Sequence, residues 1–420
     1  MSNQTAHGYR VDQAQAHIQR MVSPVEECHT VELRQALDRI LAHDVVSPID
    51  VPAHDNSAMD GYAFRSSDLV SIQPSTPLSL TIIGTALAGQ AFMGAIASGQ
   101  CVRIMTGAVM PDDCDTVLPQ ELALSASATT ITLAADAVRA GDNRRHRGED
   151  LAIGKVALSM GRLLRPADLG LLASLGIAQV SVRRRLKVVF FSTGDELRSL
   201  GQTLDAGCIY DSNRYTIFGM LARLGCELLD LGVVADDPIA LRRALEDACA
   251  QGADAIITSG GVSVGKADYV KQIMQELGEV DFWKLLMRPG RPMAFGRIKV
   301  AGKQACLFGL PGNPVAVMVS FYFFVRAALL QMMGAISVPT PILQVSCGSA
   351  IRKKPGRTEY QRGIISTAAD GRPSVNLTGS QGAGVLRSMA EANCIILLGH
   401  DQANVNVGDM VDVVPFEGLV

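Results

Sequence analysis

Between residues 186 and 335, short apolar runs alternate with stretches of helical period. "LKVVFF", "CELLDLGVV", "ADAIIT", "DFWKLLM" and "QACLFGL" have strand length and strand composition. "DSNRYTIFGMLARLG", "DPIALRRALEDACAQG" and "ADYVKQIMQELG" lie between them with apolar residues at helical spacing. Asp211 or Ser212 suits an N-cap and Gly225 a stop; Pro238 suits a first turn and Gly252 lies just past a last one. Strands separated by helices predict βαβ units and a mostly parallel sheet covered on both faces. A long apolar helix over 314–333 closes the segment. Ser320 and Arg326 interrupt its apolar run, so a buried core helix is expected rather than a membrane span.

The flanking segments have a different texture. Residues 10–50 predict two helices, "VDQAQAHIQRMV" and "VELRQALDRILA", the second with Leu33, Leu37, Ile40 and Leu41 on one face. Residues 51–140 break into short apolar runs among Gly, Pro, Ser and Thr, a β-rich pattern. "RPADLGLLASLGI" (165–177) returns to helix, which suggests an insertion into a domain built from both flanks. Residues 340–420 are β-rich again. The expected fold is multidomain α/β with a doubly wound, mostly parallel central domain over 185–335. An N-terminal helical or mixed domain spans 1–50 plus 141–184, a β-rich insert 51–140, and a barrel-like C-terminal domain 336–420.

Composition narrows the function classes. The net charge of −3 offers no global field for nucleic acid. Nine cysteines without a CxxC, and seven histidines without an HxxxH, argue against a disulfide framework and a thiolate zinc site. The opening "MSNQTAHGYRVDQAQ" has no apolar core, so no secretory signal is expected and a reducing cytoplasm is.

Open parallel sheets bind ligands beyond the carboxyl ends of their strands. There this chain carries "STGDEL" (192–197), "ADDP" (235–238), "SGGVSVGKAD" (259–268), "RPGRP" (288–292) and "PGNP" (311–314). Alone, each reads as a turn or a helix start. Together they bring glycine backbone, carboxylates and cations to one edge. Backbone amides in glycine turns hold phosphate oxygens, whereas carboxylates repel them unless a hard cation intervenes. Magnesium binds through one or two carboxylates plus substrate phosphates, so Glu196 and Asp268 are the candidate metal ligands. Lys284 and Arg288 are placed to take the remaining negative charge.

Six motifs, "DNSAMDGYA", "RIMTGA", "STGDEL", "SGGVSVGKADY", "RPGRPMAFG" and "GLPGNPVA", occur in the order found in molybdopterin molybdenumtransferases. The chain resembles that family over its whole length. The resemblance implies insertion of molybdenum from molybdate into adenylylated molybdopterin, with loss of AMP and help from Mg²⁺. It also implies a homodimer whose active site lies between the α/β domain of one subunit and the insert of the other.

Carried onto this sequence, the resemblance gives Asp60, Thr106, Asp150, Asp236, Asp268, Lys284 and Arg288 catalytic positions. Substrate binding falls to Ser192, Gly194, Ser259, Gly260, Gly261, Ser263, Gly265, Pro311, Gly312, Pro314 and Arg362, with Ser380 added as the hydroxyl near in sequence to Ala383. Two departures stand out. Arg288 replaces a frequent lysine, changing a point charge into a planar fork, and Ala383 stands where the family often has serine. The α/β domain alone would also suit adenylylation of molybdopterin by ATP; the "DNSAMDGYA" insert favours the transferase. A non-catalytic scaffold would be expected to lose the acids, and Glu196, Asp236 and Asp268 are all present.

Overall fold

The computed structural model describes residues 8–70, 76–261, 268–337, 339–367, 371–417 and 419. Its centre is a six-stranded sheet. In chain order the elements are β1 (Lys187–Thr193), α1 (Ser212–Arg223), β2 (Glu227–Val234), α2 (Pro238–Ala250), β3 (Ala255–Ser259) and α3 (Asp268–Leu277). β4 (Gly278–Lys284), β5 (Pro292–Val300) and β6 (Lys303–Leu310) follow, and then the long helix α4 (Pro314–Met332). The strand order is β2-β1-β3-β6-β5-β4. The first four are parallel, and β5 runs antiparallel to both β6 and β4. β4 therefore points the same way as the parallel strands, and Lys284 ends at the edge where they end.

Apolar residues leave both faces of this sheet, as its near-continuous hydrophobic strands require. Val189, Phe191, Ile256 and Leu307 pack beneath α2 and α3, against Leu245, Ile273 and Met274. Phe190, Ile257, Phe295 and Phe308 pack on the other side against Phe321, Phe324 and Leu329 of α4. That second core also takes Ile18 from the N-terminal helix Val11–Met21, and Tyr360 and Ile395 from the C-terminal domain. It joins three parts of the chain. α4 meets the length and hydropathy of a membrane span, but 61% of its apolar window is buried inside the protein. A π-turn at Phe321–Val325 interrupts it.

The sequence expectation for the second N-terminal helix is not met. Cys28–Glu32 is a strand paired with Gln179–Arg183, and only a 3₁₀ turn, Leu33–Ala36, follows. The apolar spacing is satisfied differently. Leu33 N donates to Ala178 O at 2.9 Å and Leu41 N to Arg162 O at 2.9 Å, so backbone pairing with 162–183 outcompetes local helix formation. Asp38, at φ +58, turns the chain out of any helix.

Three short pairings draw the flanks of the insert together: 28–32 with 179–183, 45–46 with 156–158, and 56–57 with 144–145. Between them lies a six-stranded sheet made of 61–64, 78–86, 100–104, 116–119, 125–126 and 130–133. At the other end of the chain, five strands pair in a closed ring: 358–367, 373–377, 343–347, 410–415, 394–398 and back to 358–367. This barrel joins the sheet domain directly, because Met287 and Arg288 pair with Thr358 and Glu359.

Trp283 is the sole tryptophan and sits at the seam, its ring 5.5 Å from Tyr9, 5.3 Å from His17 and 5.8 Å from Phe295. Ile18 is buried in the same cluster. Ile18→Ala is expected to lower stability by about 2–5 kcal/mol, read as an earlier denaturant transition in Trp283 fluorescence. An unchanged midpoint would show that the N-terminal helix docks without contributing to the core.

Candidate functional site

The carboxyl ends of β1, β3, β4 and β6 meet at one edge, above a cleft of about 880 Å³. β1 ends in Ser192 and Thr193. Ser192 is fully buried, and its hydroxyl donates to Asp211 Oδ1 at 3.0 Å. Asp211 caps α1 by accepting from Arg214 N at 3.2 Å, the cap that the sequence predicts. Beyond Thr193 the chain turns at Gly194, φ +149, and Glu196 folds back over it. The positive φ at Gly194 favours glycine, and a Cβ there would lie 2.7 Å from Glu196 Oε2, so the carboxylate would have to swing aside.

β3 ends in Ser259, followed by Gly260 and Gly261 at φ +92 and +71. A side chain on Gly260 would collide with the Thr193 carbonyl, and a Cβ on Gly261 would lie 3.0 Å from Thr193 Oγ1. These two glycines let neighbouring strand ends touch. Gly260 N also donates to Leu310 O at 3.1 Å, fixing the loop to β6. Asn213 is the crossbar: its Nδ2 donates to Ser259 Oγ and to Gly312 O, each at 2.7 Å. Sequence reasoning missed Asn213 and read Asp211 only as a cap. The available signal was two polar residues opening a helix that must bury most of its first turn.

On the opposite side, Arg288 and Arg291 line the cleft along the 288–292 turn. Lys284 is exposed at the end of β4, outside that lining. Pro311, Gly312 and Pro314 line the cleft, with Pro314 opening α4. The barrel closes one wall with Ala383, Gly384 and Leu386, and Val315 N donates to Ala383 O at 3.1 Å.

Arg362 stands behind that wall, 1% exposed. Its Nε donates to Ser388 Oγ at 3.0 Å, and its Nη2 to the carbonyls of Ser380 at 3.2 Å and Gly382 at 3.0 Å. Gln381 Oε1 accepts from Arg362 N at 2.8 Å. These acceptors are neutral. Burial, and then the charge of Arg288, push the Arg362 guanidinium down to about 10. Ser380 itself is exposed.

Carboxylates flank the opposite rim. Glu196 and Asp236 both line the cleft, and Asp236 N donates to Asp195 Oδ1 at 3.3 Å. Asp268 is described only as the first residue of α3, and Ser263 and Gly265 lie outside the described residues. No group of three or more potential metal ligands forms among the described residues.

Three further expected residues, Asp60, Thr106 and Asp150, are also not among those lining this cleft. Asp60 and Thr106 lie on the insert and bind each other: Asp60 Oδ1 accepts from Thr106 N and from Thr106 Oγ1, each at 2.7 Å. Those two bonds hold the Asp60 carboxyl below its ordinary value, the backbone bond most strongly. Asp150 is exposed, and its backbone N donates to Val51 O at 3.1 Å.

Comparisons with known proteins agree with this architecture. Family profiles described as "MoeA N-terminal region (domain I and II)", "Probable molybdopterin binding domain" and "MoeA C-terminal region (domain IV)" match residues 9–176, 189–331 and 344–416. A molybdopterin molybdenumtransferase of Haemophilus influenzae is 39% identical over 411 residues, covering 98% of this chain and 99% of that protein. A molybdopterin molybdenumtransferase 2 of Mycobacterium tuberculosis is 35% identical over 404 residues, covering 95% of this chain and 96% of that protein. A molybdopterin biosynthesis moeA protein from Pyrococcus horikoshii superposes with a TM-score of 0.81 at 27% identity, covering 97% of this chain and 99% of that one. With three profiles along its length and full-length relatives that carry one name, the chain belongs to the molybdopterin molybdenumtransferase family, transferases of molybdenum cofactor biosynthesis.

Proposed function

We propose that this protein inserts molybdenum from molybdate into adenylylated molybdopterin and releases AMP, with Mg²⁺, as a cytoplasmic homodimer. The observation that carries the reading is the division of one cleft into an acidic rim, Glu196 and Asp236, and a cationic wall, Arg288 and Arg291 with Arg362 behind. A pyrophosphate needs the cations. It cannot face a bare carboxylate, because two like charges 4 Å apart repel by about 4 kcal/mol at a near-surface effective dielectric. A hard cation between them reverses that sign.

The donor set fits such a cation. Glu196 offers carboxylate oxygens at the rim, and Asp268 opens α3 just after the glycine loop. Fewer than three protein ligands suits Mg²⁺, whose sphere is completed by phosphate oxygens and water. When bound, the ion neutralises charge on the phosphoanhydride. The chain does the positioning. Gly260 and Gly261 keep backbone close to the ligand, and Pro311, Gly312 and Pro314 form the floor between β6 and α4. Lys284 and Arg288 attract molybdate, a tetrahedral dianion, while Arg362 holds the Ser380–Gly382 turn and adds positive field. No nucleophilic side chain is needed.

In this reading Asp60, Thr106 and Asp150 reach the cleft of a second copy. The Asp60–Thr106 pair presents an ionised carboxylate, which suits a metal–phosphate site.

Four results test the reading. Purified protein should release AMP from adenylylated molybdopterin only when molybdate is present. Glu196→Gln should slow this by roughly 10²–10³-fold, the usual loss when one preorganised electrostatic contact is removed. ATP consumption with free molybdopterin, independent of molybdate, would assign the preceding reaction instead. Co-expressing Asp60→Asn with Glu196→Gln should restore about a quarter of wild-type activity, since half of the dimers are mixed and half of their sites intact. No recovery would place both residues in one subunit's site. Thr106→Ala should raise the Asp60 pKa towards the ordinary carboxylate value in an NMR titration. Because the folded pKa is depressed, the pair's contribution is complete above that ordinary value and fades as pH falls through the folded one.

A further inference from the structure

Three residues that line the cleft each carry a buried oxygen with no hydrogen-bonding partner among the described residues: Thr193 Oγ1, Asp211 Oδ2 and Asn213 Oδ1. Thr193 is 8% exposed, Asp211 2% and Asn213 7%. Buried polar atoms are nearly always paired, so three orphans in one cleft floor call for a cause. Their orientation is set by bonds already made. Asp211 Oδ1 is occupied by the Ser192 hydroxyl and Arg214 N, which leaves Oδ2 over. The Asn213 amide nitrogen is spent on Ser259 Oγ and Gly312 O, and the latter can only accept, so Oδ1 is the free end. Thr193 Oγ1 lies beside Gly261, where a Cβ would sit 3.0 Å away.

The floor is thus rich in acceptors, while the wall holding Arg288 and Arg291 is rich in donors and positive charge. An anionic ligand group is drawn to the wall and repelled by Asp211. Whatever meets the floor is neutral and offers N–H or O–H groups. Resting on the pterin–nucleotide reading above, we propose that Thr193, Asp211 and Asn213 are a specificity floor for the uncharged, hydrogen-bond-donating ring portion of the substrate. Two portions share that chemistry: the amino-pyrimidinone edge of the pterin and the hydroxyl and amino groups of the adenosine.

Asp211→Asn is the informative variant. Its side-chain carbonyl can still cap α1 and accept from Ser192, while the free acceptor becomes a donor. Thr193→Val removes the hydroxyl at nearly constant shape. Isothermal titration of each purified protein with 6-hydroxymethylpterin, AMP and inorganic pyrophosphate separates the parts of the ligand. Asp211→Asn should weaken the pterin or AMP roughly tenfold to hundredfold, with pyrophosphate unchanged within twofold and the thermal midpoint preserved. Thr193→Val should weaken the same probe less. The probe affected names the portion that rests on the floor. Equal weakening of all three probes, weakening of pyrophosphate alone, or no change in any would overturn the proposal. Wild-type protein that binds neither pterin nor AMP would instead remove the pterin–nucleotide reading itself.

Discussion

The site depends on how closely two strand ends can approach. β1 and β3 are parallel neighbours, and the backbone leaving β3 passes so near the Thr193 carbonyl that Gly260 has no space for a Cβ. Gly194 repeats the constraint one loop away, beneath the Glu196 carboxylate. A methyl group on Gly260 would push the strand-end loops apart, and one on Gly194 would displace the Glu196 carboxylate. The cleft, its acids and its backbone amides exist because glycine removes that obstacle. Asn213 then locks the arrangement by bridging the β3 and β6 loops.

Charge is distributed around this frame with a clear polarity. Arg362 gives up all solvent to support the Ser380–Gly382 turn, and its bonds are to neutral oxygens, so its positive charge is not cancelled locally. Arg288 sits near enough to be felt by it. Glu196 and Asp236 line the same cleft from the β1 and β2 end of the strand order, and Arg288 lines it from the β4–β5 end. Holding Arg362 near Arg288 is costly for stability alone, because like charges are kept together. It becomes favourable when a polyanion and a hard cation fill the space, which is the common feature of phosphoryl chemistry.

The sheet domain that carries the cleft is also tied to the barrel and to the N-terminal helix. The pairing of Met287 and Arg288 with barrel residues Thr358 and Glu359 carries the 288–292 turn to the barrel, and Val315 N to Ala383 O ties the barrel back to α4. The buried aromatic cluster around Trp283, Phe295 and Phe308 joins the N-terminal helix to the same sheet. Site geometry and domain packing therefore rest on shared contacts.

The sequence alone determined the βαβ alternation, a cap at Asp211 or Ser212, the first-turn Pro238, and the convergence of five loops on one sheet edge. These follow from period, turn chemistry and the rule that parallel strands end together, all local or topological. It determined the family through the order of its motifs. Tertiary structure decided the rest. The helical spacing of Leu33, Leu37, Ile40 and Leu41 lost to backbone pairing with residues over 120 positions away, which no local pattern encodes. The burial of Arg362 and its hold on the Ser380–Gly382 turn were also decided there, because burial depends on what packs over a residue. Asn213 became the crossbar for the same reason: its two partners, Ser259 and Gly312, are distant in sequence and meet only when the parallel strands align their ends.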